Sequence, residues 1–347
     1  MVGIGGGEPK NFENICSHPA LNIVETQDGL NNVCKDVAVS RRLDPRTRLR
    51  ESFMNSREEA VAMVNATPKR RSVWLTAIFS AVAAIVLAVA FSQRTLTAPM
   101  PDTVDMADMT WVEVRSAVEH GYTAAIVPSG GIEQNGPHMV LGKHDYIVRR
   151  AADRIAHELG RTLVTPVVSF VPQGSYEPPS ENLLFPGTIG VPEPVFAQVL
   201  EGIARSLKLA GFKTIFFIGD HGGSQASQAA VAAKLKDEWI GQGIAVLHVA
   251  DYYADEAQIN YLREKGETAA TIGVHAGMID TSELLAVHPD GVDLSRLATI
   301  PLNSETTGHS GDPKHASTAY GSALLDIRIN AAVRQIRAAL AGPKVSN

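Results

Sequence analysis

The polar side chains most able to do chemistry in this sequence fall into three short glycine-punctuated segments. The first is Gly130-Gly131-Ile132-Glu133-Gln134-Asn135-Gly136-Pro137-His138, continued by Gly142-Lys143-His144-Asp145. The second is Gly219-Asp220-His221-Gly222-Gly223-Ser224, and the third runs from His275 through Ala276-Gly277-Met278-Ile279-Asp280 to Ser282. Both cysteines, Cys16 and Cys34, lie far upstream, so these segments can offer a metal only imidazole and carboxylate. That donor set suits Zn²⁺, Mn²⁺ or a similar divalent ion. A catalytic site would keep one position open for water, which the metal acidifies. Each residue also has a plainer reading. His144 could cap the helix that follows, Asp280 could N-cap a helix carrying Leu284 and Leu285, and Gly222-Gly223 could receive a phosphate at a helix start. His120, His157 and His248 are isolated and are set aside.

Such segments need a scaffold, and residues 102–347 supply an alternating pattern. Short β-branched or apolar runs at 123–127, 163–170, 214–218 and 244–249 read as buried strands. Between and around them, 111–120, 146–159, 194–210, 225–239 and 322–340 read as helices. The second shows an apolar face of Ile147, Val148, Ala151, Ile155 and Leu159, and the third stops at Gly211. Strands alternating with helices predict an α/β fold: three layers, α/β/α, around a mostly parallel central sheet. The two main polar segments directly follow strands, where open α/β sheets place their sites.

The chain has 347 residues, a net charge of −6, 45% hydrophobic and 20% charged residues. These are ordinary values for a globular protein, and no basic cluster marks a helix for nucleic acid. Residues 1–70 lack helix or strand periodicity and read as disordered, or as sequence upstream of a true start at Met54 or Met63. Lys69-Arg70-Arg71 precedes an uncharged run over 73–91 that ends in Ala88-Val89-Ala90. As a helix this run is roughly 28 Å long, just enough for a bilayer. Residues 71–97 are therefore expected to be a signal peptide, with twin-arginine character, or a signal anchor, leaving 98–347 outside the cytoplasm, periplasmic or membrane-tethered.

The site segments resemble the creatininase family of metal-dependent amidohydrolases. That family shows a Glu-Gln-His-Gly-Pro-His loop with an Asp about eleven residues beyond its Glu. It continues with Phe-Pro-Gly-Thr, Asn-Gly-His-Gly-Gly-Asn, His-Ala-Gly-Glu-x-Glu-Thr-Ser and a late Gly-Asp-Pro. Here these read Glu133 to His138, Phe185-Pro186-Gly187-Thr188, Gly219 to Ser224, His275 to Ser282 and Gly311-Asp312-Pro313, in order across nearly all of 102–325. The departures fall on ligand positions. Asn135 replaces a His, His144 stands where the family has its metal-bridging Asp, Asn182 replaces a His, and Met278 and Asp280 replace two Glu.

The resemblance, with these departures, implies one divalent ion per chain, Zn²⁺ with Mn²⁺ as the alternative, held by Glu133, His144 and His221. It implies hydrolysis of a small amide or lactam other than creatinine. His275 would be the proton shuttle, and Asp280 would orient either His275 or the water. His138, Asp145 and Asn135 would be substrate contacts, and the stretch 176–182 a wall of the pocket. A homo-oligomer is also implied. Asn135 and Met278 motivate the competing expectation, an exported ligand-binding protein that keeps the fold without the chemistry.

Overall fold

The computed structural model describes residues 102–297 and 306–341. The expectations for 1–70, for a signal at 71–97 and for a span at 73–91 lie outside the described residues. Among the described residues no helix is long and apolar enough to cross a membrane.

Four strands form one all-parallel sheet: β1 (Ala124–Ser129), β2 (Thr162–Val164), β3 (Thr214–Gly219) and β4 (Ala245–His248), in the order β2-β1-β3-β4. Alternate side chains point to opposite faces of a strand. Here both faces are covered, which is why the strands read as continuous apolar runs. On one face Ile126, Phe216 and Ile218 pack against α2 (Lys143–Leu159), α7 (Met278–Val287) and α8 (Thr318–Leu340), through Ile147, Ile155, Leu284 and Ile329. On the other face Ala125, Val127, Ile215 and Phe217 pack against α1 (Trp111–Glu119), α3 (Glu193–Leu209) and α4 (Gln225–Glu238), through Ala117, Phe196 and Leu235. The three-layer α/β/α expectation is thus met.

Several boundaries differ from the sequence reading for identifiable reasons. The expected strand over 163–170 ends at Val164. Pro166 has no N–H to donate, so the ladder is interrupted there and the chain only tracks β1, through Thr165 N–H to Ile126 O before it and Val168 N–H to Pro128 O beyond it. Helix α2 begins at Lys143, three residues before the expected start at 146, which puts Lys143, His144 and Asp145 on its first turn. Helices α5 (Glu256–Glu264) and α6 (Ala269–Ile272) were not expected from the pattern. Helix α3 ends as expected, with Gly211 at φ +101° just beyond its Ala210 cap.

The order of strands decides where the site forms. After β1 the chain crosses outward to β2. It then returns on the opposite side of β1 as β3, so the connections diverge between β1 and β3. The carboxyl ends of these two neighbours, Ser129 and Gly219, are in register. Loops leaving them part from one another and enclose a crevice, the usual ligand position in such sheets.

Candidate metal centre

Glu133 lies on the loop after β1, His144 on the first turn of α2, and His221 directly after β3. Their ligand atoms lie within 4.8 Å of one another, and all three residues are buried. Glu133 Oε1 is 2.7 Å from His144 Nε2, and Glu133 Oε2 is 2.7 Å from His221 Nε2. Asn182 Nδ2 donates to the same Oε2 at 2.6 Å. Burial pushes the Glu133 carboxyl up, but the two imidazoles outweigh it and hold it well below the usual carboxylate range.

His144 is clamped on both sides. Its Nδ1 is 2.7 Å from Asp220 Oδ2. Asp220 Oδ1 accepts from Tyr252 Oη at 3.0 Å and pairs with the Arg328 guanidinium. Arg328 in turn lies 3.3 Å from Glu283, whose other oxygen accepts from Gln258 Nε2 at 2.7 Å. Burial and the Lys143 charge push the His144 imidazole down. Glu133 and Asp220 overcome both and raise it to about 9. Burial, only partly offset by Arg328, lifts Glu283 to about 8.

The donors fit a divalent ion. Glu133 is a buried carboxylate whose oxygens meet two imidazole nitrogens, and His144 has its far nitrogen fixed by a carboxylate, the arrangement that sets ring orientation in metal sites. Cation binding there would release the proton that Glu133 and His144 otherwise share. His221 Nδ1 accepts from Gly223 N–H at 3.1 Å, so ligation through Nε2 exchanges that bond for the metal.

Above these residues opens a cavity of about 300 Å³, lined by Lys143, Glu181, Tyr253, His275, Ile279 and Asp280 among others. His275 Nδ1 lies 3.9 Å from Glu133 Oε1. Its Nε2 sits 2.8 Å from Gln134 Nε2 and 3.1 Å from Gln134 O. Burial and the Lys143 charge lower its pKa, keeping the ring neutral near neutral pH.

Not every expected site residue arrives here. Asp280 is in the cavity, but Gly277 is the N-cap of α7 and Asp280 is its third residue. Its Oδ2 accepts from Ala276 N–H at 2.7 Å and its Oδ1 is 3.2 Å from Lys143 Nζ. The residue that holds His275 is Gln134. Burial raises the Asp280 carboxyl, and the opposing Lys143 charge brings it down to about 2. His144 is not a cap; it follows the Gly142 N-cap on the helix itself. Asn135 is fully buried, and its Nδ2 donates to the carbonyls of Glu133 and Val140, tying its own loop. His138 is buried against Thr281 Oγ1 at 3.0 Å. Asp145 accepts from Gly131 N–H at 3.0 Å and lines a different groove, with Tyr146 and Arg149. None of these three lines the cavity. Of the expected wall, Glu181 lines it and Asn182 reaches Glu133.

The family match decides the identity of this scaffold. The family model for creatinine amidohydrolase matches residues 107–336, which span the whole centre. The chain belongs to the creatininase family. Creatinine amidohydrolase of Pseudomonas putida is 25% identical over 261 residues, 69% of this chain and 98% of that protein. The mycofactocin precursor peptide peptidase of Mycolicibacterium smegmatis is 26% identical, over 61% of this chain and 83% of its own length. The 3-dehydro-scyllo-inosose hydrolase of Thermotoga maritima is 25% identical, over 55% and 58%. A solved manganese form of creatininase superposes with a TM-score of 0.57 at 24% identity, covering 68% of this chain and 98% of that one. A Zn–Zn form of a creatininase variant gives 0.56 at 23%, over 68% and 98%. These relatives are hydrolases, and this creatininase-family chain brings together three residues, Glu133, His144 and His221, that could hold a metal ion.

The residues missed in the sequence left faint marks. Arg328 breaks the apolar face of α8 between Leu325 and Ile329, an odd place for a cation without buried partners. Asp220 and Lys143 each sit beside an expected ligand.

Proposed function

We propose that this protein is a metal-dependent hydrolase of a small amide or lactam, using one divalent ion held by Glu133, His144 and His221. The observation that carries this reading is the buried Glu133-His144-His221 triad, braced by Asp220, at the floor of a cavity sized for a small molecule. When bound, the ion polarises a carbonyl and acidifies water. Net hydrolysis adds water across the C–N bond, giving a carboxylate and an amine. A proton must therefore travel from the attacking water to the leaving nitrogen.

His275 is placed for that transfer. Its Nδ1 faces Glu133, while Gln134 offers its Nε2 both an acceptor, the main-chain O, and a donor, the side-chain amide. Either neutral tautomer is therefore supported, and Nδ1 can take up a proton and release it. Asn135 and Met278, which favour a non-catalytic reading, are fully buried and away from the cavity, so their replacement leaves the triad and His275 in place. The Lys69-Arg70-Arg71 triplet ahead of the uncharged run at 73–91 supports export, which the intact mass of the native protein would test.

The deciding experiment is hydrolysis of a panel of small amides and lactams by the purified protein, with and without a chelator. Activity is expected to vanish on chelation, return with Zn²⁺ or Mn²⁺, and be absent in His221→Ala. Turnover that survives chelation or His221→Ala refutes the metal mechanism. Creatinine turnover on a par with the other amides would overturn the expected substrate class.

A further inference from the structure

Lys143 is the first residue of α2 and is 1% exposed. Both facts are unusual. The amino end of a helix carries a partial positive charge, which disfavours a cation there. Burying an ammonium costs several kcal/mol unless opposite charge compensates it. A lysine at a helix start normally runs its stem to the surface. This one points into the centre, where its Nζ is 3.2 Å from Asp280 Oδ1 and 3.9 Å from Glu133 Oε1.

The two carboxylates come from different elements. Glu133 is on the loop after β1, and Asp280 is fixed on the first turn of α7 by the Ala276 N–H. Without Lys143, the buried Glu133 and the partly exposed Asp280 carboxylates would face one cavity with one divalent ion near only the first. That is the setting in which a second cation binds. The ammonium fills it from within the chain.

We propose that Lys143 is a built-in second cation of this centre, occupying the place between Glu133 and Asp280 and so restricting the site to one divalent ion. The proposal rests on the metal reading above and adds the stoichiometry and its cause. A single point charge on a flexible stem replaces an ion that would need its own set of ligands.

The test is metal counting on the full-length protein. Apoprotein is titrated with Zn²⁺ by calorimetry, and tightly bound zinc is measured by elemental analysis after desalting. Wild type is expected to hold one ion per chain. Lys143→Arg keeps a cation and is expected to stay at one. Lys143→Asp adds a carboxylate beside Glu133 and Asp280 and is expected to rise to two. A wild type with two ions overturns the proposal, and so does a folded Lys143→Asp protein, checked by circular dichroism, that stays at one. If Lys143→Asp does not fold, Lys143→Ala is read in its place. There a second, weaker binding event supports the proposal, and a single event overturns it. A wild type that holds no zinc overturns the metal reading itself, a result distinct from either stoichiometry.

Discussion

Removing Asp220 should weaken metal binding and folding separately, and the two losses can be worked from the contacts. Asp220 Oδ2 receives His144 Nδ1 at 2.7 Å, so it sets which His144 nitrogen is free for the ion and where the ring points. Loss of such a partner typically lowers metal affinity about 10- to 100-fold, or roughly 1.4–2.7 kcal/mol. Asp220 Oδ1 also pairs with buried Arg328. Breaking a buried pair from one side costs about 3–5 kcal/mol. Arg328 keeps Glu283 at 3.3 Å, and Glu283, held at about 8 by burial, can ionise to compensate. The folding loss should therefore fall near the low end, about 3 kcal/mol. Asp220→Ala is expected to show both effects. Asp220→Asn retains a carbonyl for His144 Nδ1 and should lose about tenfold or less in affinity. Urea unfolding of the apoprotein gives the folding loss, and competition with a chromogenic zinc chelator gives the loss of metal affinity. A folded Asp220→Ala protein that binds Zn²⁺ within twofold of wild type would refute the idea that Asp220 prepares His144.

Three further outcomes are expected. A Cβ on Gly321 would lie 1.8 Å from the Ser282 carbonyl oxygen, where α8 crosses α7, so Gly321→Ala must push the helices apart. It should cost about 1–3 kcal/mol in urea unfolding; an unchanged midpoint would show that this contact relaxes freely. His138 is buried, its Nδ1 has no hydrogen-bond partner among the described residues, and burial with the His309 charge lowers it to about 4. A depressed folded value means stability that is full above pH 6.5 and lost as pH falls through 4, by about 3 kcal/mol at most. His138→Gln should flatten that acid limb relative to wild type, and parallel pH profiles would exclude His138 as its source. Glu283 has the opposite sign: its pKa is raised to about 8, so its contribution is full below pH 4.5 and lost as pH rises through 8. Glu283→Gln should gain on wild type progressively as pH rises from 4.5 to 8 and level off above; parallel profiles across that window would refute the assignment.

The layers were legible because each strand is an apolar run buried on both faces and each long helix shows one apolar stripe, signals local to the chain. The start of α2 was not, since Lys143, His144 and Asp145 are polar residues that a helix pattern does not claim. Their helical placement depends on Glu133 and Asp280 waiting across the crevice. Glu133 and His221 could be picked from loop position and motif. Asn135, His138 and Asp145 carry the same kinds of polar atoms, yet each is consumed by its own surroundings: loop carbonyls, Thr281 and the Gly131 N–H. Which polar residue faces the cavity and which turns away is decided by contacts distant in sequence. Arg328, which braces Asp220 from 108 residues away, shows the same dependence most plainly.

The exchange at His144 and Asp220 makes these contacts intelligible together. In the family pattern the residue eleven beyond the Glu is Asp, and the residue before the His of the second loop is Gly. Here the first is His144 and the second is Asp220, and the two touch. The carboxylate sits one hydrogen bond behind His144, whose imidazole stands between it and Glu133. Neither change works alone. His144 without Asp220 is an unanchored ring, and a carboxylate at 144 facing Asp220 would set two buried negative charges against each other. His144→Asp alone should therefore lose more Zn²⁺ affinity than His144→Asp combined with Asp220→Gly. A double-mutant cycle should return a coupling of about 1–3 kcal/mol, the range for residues in direct contact. Strict additivity would mean that the two positions changed independently, and that the 2.7 Å contact between them does not determine the centre.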